Sequence, residues 1–292
     1  MSDASPTVGR GYGAVDAWAM PHHQPIARRW TEDPARSHGL RLLGSDGFGG
    51  WPIEQTIDEM DRNGVDIAVL SAIVEADQVL VSNQEVADCV ERWPDRFRGS
   101  VAVDPRQPMK ALREIEHWVR DHAFVNIKIC PYGFGYDTRP NSKLWYPIYA
   151  KACELEVSVT IQVGHTGPLL PTEPGRPIYL DEVALTFPEL VIIGAHIGWP
   201  WEEEMMMLAW KHANVHIDTS AHAPRRYPER FVNFMRKRGA DKVLFGTDYP
   251  ALRYDRCLPE FDALDLPDDV RRKVLSDNAR RVFRLPASAS AS

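Results

Sequence analysis

Four side chains in this sequence belong to the types that move protons or hold a charged group, and each comes at or just after a short apolar run: Lys128, His165, His196 and Asp248. Imidazole titrates near neutrality and can donate or accept a proton, while a carboxylate beside it can orient a water or the ring itself. That combination suits hydrolysis or proton-coupled bond cleavage. Lys128 shares strand parity with Asn126 and Cys130, so its ammonium points inward with them and would polarise a carbonyl or hold a substrate carboxylate. Asp248 ends the run Val243-Leu244-Phe245, with Gly246 letting the backbone turn before it and Pro250 forbidding continuation. Taken singly, each has a plainer role. Asp248 could cap the next segment, and His165 or His196 could satisfy loop carbonyls.

The elements that must bring these residues together are read from the alternation of the chain. Short apolar segments at 14–20, 66–73, 99–103, 124–130, 157–163, 191–196, 215–219 and 243–246 are separated by amphipathic ones. Near-continuous apolar strands divided by helices mark a parallel sheet covered by helices, and eight such units predict a closed (β/α)8 TIM barrel. The helices are expected over 53–60, 83–93, 109–122, 142–156, 180–187, 202–212, 229–238 and 268–283; Ile53, Ile57 and Met60, for example, share one face. In such a barrel the strand ends converge over about 10 Å, so strand one (Asp16, Trp18, Met20), strand four (Lys128, Cys130), strand five (Gln162, His165), strand six (His196), strand seven (Asp218, Ser220) and strand eight (Asp248) face a common pocket. Two connections, 21–52 and 164–177, are longer than a barrel needs. The first holds His22, His23, Trp30, His38, Asp46 and Trp51 among glycines, and is expected to fold over the substrate, an interaction surface or a plain rim being the alternatives.

Composition agrees with one soluble domain. The chain has 292 residues with 44% hydrophobic and 10% aromatic, enough for a core, and lacks an apolar run near 18 residues. A net charge of -7 disfavours nucleic acid as a partner. Four dispersed cysteines without a CxxC pair fit free thiols in a reducing cytoplasm. Residues 1–13 read as a flexible arm, 14–285 as the catalytic barrel and 286–292 as a disordered tail. The methionines at 205–207 beside Trp199, Trp201 and Trp210 read as core packing, a homo-oligomer interface being the alternative.

Gly164-His165-Thr166-Gly167-Pro168, Ala195-His196-Ile197-Gly198-Trp199-Pro200-Trp201, Phe245-Gly246-Thr247-Asp248-Tyr249-Pro250 and Asn278-Ala279-Arg280-Arg281-Val282-Phe283 resemble the amidohydrolase-related (amidohydrolase 2) group. That group includes metal-dependent decarboxylases similar to aminocarboxymuconate-semialdehyde decarboxylase. The resemblance spans 14–285 and implies a distorted (β/α)8 barrel. It implies His165 as a metal ligand, His196 as a second ligand or general acid/base, and Asp248 as ligand or base. The group's first strand normally ends in an H-x-H pair, whereas this chain carries Trp18 and Met20 there. Tryptophan cannot ligate and a thioether is a poor zinc donor. No tightly bound metal is therefore expected; a zinc held by His165, His196 and Asp248 is the alternative.

Without an ion, Asp248 or His196 must activate water and a donor such as Lys128 or His165 must stabilise the oxyanion. The leading expectation is a hydrolase acting on a small cyclic or aromatic organic acid, such as a lactone or activated ester. Trp18, Met20, Cys130, Lys128 and Trp199 are the expected substrate contacts, with His165, His196 and Asp248 catalytic. The alternatives are a non-oxidative decarboxylase or related lyase, and a barrel retired from catalysis that serves as a binding protein.

Overall fold

A computed structural model describes residues 12–42, 49–135 and 137–287. Most of the expected N-terminal arm, Asp46 and all but the first two residues of the expected tail lie outside them. The ten strands are β1 (Ala14–Ala19), β2 (Val65–Ser71), β3 (Ile73–Val74), β4 (Val79–Val81), β5 (Phe97–Ala102), β6 (Phe124–Ile129), β7 (Ser158–Ile161), β8 (Ile192–Gly194), β9 (Val215–Asp218) and β10 (Val243–Leu244). Eight of them form one parallel sheet in the order β1-β2-β5-β6-β7-β8-β9-β10. Each of the eight segments expected from the sequence supplies one of these strands, and the fold is the distorted TIM barrel of a single domain.

The sheet closes between its first and last strands without a full ladder. Ala17 N donates to Phe245 O (2.8 Å), Asp248 N to Trp18 O (2.9 Å) and Met20 N to Tyr249 O (2.9 Å). The Asp16 carboxylate fastens this seam, accepting from Thr247 N (3.0 Å), Thr247 Oγ1 (2.5 Å) and Trp18 N (3.1 Å). Inside the barrel, Asn126 donates to Ser100 Oγ (2.7 Å) and Thr160 Oγ1 (3.0 Å) and accepts from Ser158 Oγ (2.8 Å), tying β5, β6 and β7 beneath Lys128. The opposite parity is apolar: Val15 and Ala17 cluster with Ala279, Val282 and Phe283. Arg280 anchors that last helical turn to Asp66 Oδ2 (2.7 Å) and to the carbonyl of Gly13 (3.1 Å).

The segment 21–52 is not an unstructured loop in its described part. It forms α1 (Gln24–Thr31) and α2 (Pro34–Leu42), followed by α3 (Ile53–Asn63), which stops at Gly64 in the left-handed conformation. Sequence periodicity misses α1 because only Ile26 and Ala27 are buried on it, too few to draw an apolar stripe. The hairpin β3-β4 and the helix Tyr254–Asp262, which contains Pro259, are likewise unforeseen. Among the described residues no helix is long and apolar enough to cross a membrane.

Candidate active site

At the C-terminal ends of the strands lies a cavity of about 120 Å³. Trp18, Met20, His165, His196 and Asp248 line it, together with Gln162, Ile73, Tyr132, Thr166 and the lid residues Trp30, Arg36 and Leu40. Five of the eight expected site residues therefore meet. Three do not reach its wall. Lys128 is only 2% exposed and its ammonium lies over the face of the Trp18 ring; the Cys130 thiol faces Gln162 Oε1 (3.4 Å); Trp199 is 43% exposed, its ring 4.9 Å from that of His165.

Asp248 itself, not Gly246, makes the turn out of the last strand, with φ of 63°. Aspartate tolerates this left-handed conformation better than most side-chain-bearing residues, and the turn aims the carboxyl back over the barrel. Gly246 serves close approach instead: a Cβ there would meet Asp218 Oδ1 and Ser220 Cβ at 3.2 Å. Burial pushes the Asp248 carboxyl up to about 7, against the pull of Lys128, with Asp218 and Asp16 adding to the rise. Near neutral pH it is substantially a carboxylic acid.

His196 also adopts a left-handed backbone, with φ of 58°. Its Nδ1 lies 2.8 Å from Ser220 Oγ, and Ser220 in turn donates to the buried Asp218. With the serine hydrogen committed to Asp218, His196 Nδ1–H donates to Ser220, which assigns the lone pair to Nε2. Burial holds this imidazole neutral, well below its ordinary titration range, with Lys128, His222 and His165 acting in the same sense. The His165 ring is lowered by burial too, and its Nδ1 is buried without a hydrogen-bond partner.

Sequence reading missed two contributors. Arg36 on α2 enters the cavity wall from the lid, its guanidinium held by Asp33 and Glu75. Asp33 is its neighbour at i−3 but Glu75 comes from a separate segment, and nothing local marks the arginine as facing the cavity. His222 stacks on His165 at 5.8 Å between ring centroids. It stands just beyond β9, the same strand-end signal that found His165 and His196.

A (β/α)8 barrel whose strand ends gather a carboxyl and two neutral imidazoles beneath a helical lid defines an amidohydrolase-type barrel. The chain belongs to the Amidohydrolase family, whose model matches residues 15–285. It is 25% identical to the gamma-resorcylate decarboxylase of Polaromonas sp. (strain JS666 / ATCC BAA-500), the match covering 77% of this chain and 85% of that one. It is also 26% identical to the 2-keto-4-carboxy-3-hexenedioate hydratase of Sphingobium sp. (strain NBRC 103272 / SYK-6), over 72% of each. Among solved structures, a dihydroxybenzoic acid decarboxylase from Polaromonas sp. JS666 with bound manganese and the inhibitor 2-nitroresorcinol superposes with a TM-score of 0.72 at 19% identity, covering 96% of this chain and 99% of that one.

These relatives correct the expected hydrolase: they are decarboxylases and a hydratase. The site gives the physical reason. Lys128, the expected oxyanion donor, sits behind Trp18 and does not line the cavity. The metal of the solved relative is manganese, not the zinc considered above. The residues of this chain do not fit such an ion. Among the described residues no group of three or more histidines, cysteines or carboxylates could hold one, and Trp18 and Met20 offer no nitrogen or oxygen lone pair at the end of β1. His22 is committed to Met20 O and Thr56 Oγ1, both at 3.0 Å.

Proposed function

We propose that this protein is a non-oxidative carboxy-lyase that removes the carboxyl group from a small hydroxylated aromatic acid. The observation that carries this reading is a largely apolar cavity, walled by Trp18, Met20, Trp30, Leu40, Ile73 and Tyr132, which is also lined by Asp248, its carboxyl raised to about 7, and by His196, whose Nδ1 is engaged by Ser220. The decarboxylase relatives support it. A substrate hydroxyl donates to His196 Nε2, and as its proton shifts, electron density builds on the ring carbon bearing the carboxylate. Asp248 delivers its proton to that carbon. The carbon–carbon bond then breaks, its electron pair restores the aromatic ring, and carbon dioxide leaves. His196 returns the hydroxyl proton, and Asp248 takes a new one from solvent. Apolar walls favour the step because a buried carboxylate loses its charge as it becomes carbon dioxide.

The hydratase alternative is less well served. A tricarboxylate of the kind named for that relative needs several free cations, and the one lysine or arginine among the described cavity residues, Arg36, is already paired with Asp33 and Glu75. The four free cysteines suit a reducing, cytoplasmic setting.

The test is turnover of gamma-resorcylate and other hydroxybenzoates. Carbon dioxide should appear, with deuterium from D2O at the vacated ring position, and the rate should fall as pH rises through about 7, where Asp248 loses its proton. Asp248→Asn should lower kcat by about a hundredfold or more with the fold intact. No carbon dioxide from any member of the panel sinks the reading.

A further inference from the structure

We propose that this site works without a divalent ion, and that the Lys128 ammonium, held against the Trp18 ring, is the built-in positive charge that Asp248 and Asp218 face in its place. This deepens the carboxy-lyase reading and rests on it only where turnover is measured.

Three observations converge. First, the end of β1 presents an indole and a thioether, and no group of three metal-binding side chains exists among the described residues. Second, Lys128 is buried and its Nζ makes no hydrogen bond, so its charge is left to the Trp18 face and to neighbouring carboxylates. An ammonium out of water is costly, and burial lowers Lys128 to about 8, with Cys130, Asp218 and Asp248 opposing the fall only in part. Third, Asp218 Oδ2 is buried without a hydrogen-bond donor, while its Oδ1 receives Ser220 Oγ, Ser220 N (2.8 Å) and His196 N (3.4 Å). One end of that carboxylate is thus bonded and the other has no hydrogen-bond donor, while the charge of Lys128 acts to keep the group ionised against its burial. A divalent ion added to this set would face an unpaired cation and too few ligands.

The geometry also separates Lys128 from the substrate. Trp18 lines the cavity and Lys128 does not, so the lysine is a positioning residue that acts through Asp248, Asp218 and the indole. The titratable groups around this arrangement are Asp16, Asp218 and Lys128 about Asp248, with Cys130 and His196 also beside Lys128. Removing the ammonium leaves Asp248 among carboxylates alone. Its proton should then be held to higher pH.

The experiment has two arms. Manganese is titrated into purified, chelator-dialysed protein and followed by electron paramagnetic resonance; no saturable site is expected, and turnover should be unchanged by EDTA. Separately, the Asp248 carboxylic-acid C=O band is followed against pH by infrared difference spectroscopy, with Asp248→Asn assigning the band. In Lys128→Met its loss should move upward by roughly 1 to 3 pH units, and Lys128→Arg should bring it back. Stoichiometric manganese that disappears in Asp248→Asn overturns the proposal, as does an unmoved band in Lys128→Met. Should Lys128→Met fail to fold, the manganese arm on the unsubstituted protein decides. The manganese titration and the infrared arm need no substrate, and only the EDTA check does, so failure of every hydroxybenzoate to react would strike the carboxy-lyase reading and leave this one standing.

Discussion

In the proposed reaction two side chains divide the proton work, and a third decides which nitrogen of an imidazole takes part. Asp248 lies in a setting that keeps its proton on, His196 in one that keeps its proton off, and Ser220 links His196 to Asp218. Ser220 does not line the cavity, so its contribution passes through the imidazole. Ser220→Ala should therefore lower kcat by up to about a hundredfold while KM changes little, because the ring loses the acceptor that fixes its tautomer and orientation. Steady-state kinetics on the purified variant checks this, and an unchanged kcat would remove His196 from the proton transfer. Asp248, His165 and His196 were legible from the sequence because each follows an apolar run, and barrel geometry sends strand ends to one place. Lys128 was legible as inward-facing, but its seat behind Trp18 depends on how an indole on β1 packs against a chain on β6, which no linear spacing records. The turn was misread at Gly246 because glycine is the usual left-handed residue, whereas Asp248 itself adopts that conformation.

Helices α1 and α2 show how an element can be hidden in sequence and still help to wall the cavity. Helix α2 lies against the connection after β7: Leu169 N donates to Ala35 O (2.9 Å), and a Cβ on Gly39 would stand 2.2 Å from the carbonyl oxygen of Gly167. Gly39 is thus required by close approach of two backbones, although glycine weakens the helix that carries it. Trp30, Arg36 and Leu40 reach the cavity from α1 and α2, so the seating of this pair shapes the substrate's ceiling. Gly39→Val should push α2 off the 164–170 segment and raise KM roughly tenfold, with kcat falling as well because water enters. An unaltered KM in a variant with native circular dichroism would show that the contact does not set closure. Periodicity recovered the barrel strands because a doubly covered parallel strand is apolar on both sides. It failed for α1, α2 and the β3-β4 hairpin because their burial comes from docking on the rim.

The barrel as a whole carries its active-site charges at the seam where the sheet closes, so folding stability and chemistry are coupled there. Asp16 fastens β1 to the segment after β10, Asp248 sits three residues beyond Phe245, and burial pushes both carboxyls up to about 7. A carboxyl whose folded value exceeds its unfolded one binds more protons in the folded state, so its contribution to stability is full below the ordinary carboxylate range and is lost as pH rises through about 7. Buried imidazoles act oppositely. His22 and His222 are lowered to about 4, so the unfolded chain takes up their protons first, and stability from them is lost as pH falls from about 6.5 toward 4. The net profile mixes the two, but one substitution separates them. Asp248→Asn removes a carboxyl and leaves every histidine in place, so its stability relative to the parent should climb as pH rises from about 4 to 8, by up to a few kcal/mol. Any fixed cost of seating the amide is the same at both ends and cancels in the comparison. Chemical denaturation of both proteins at pH 4.5 and pH 8 measures it: a difference that does not change with pH would mean that Asp248 is ionised throughout, and the acid role assigned to it would fall with that result.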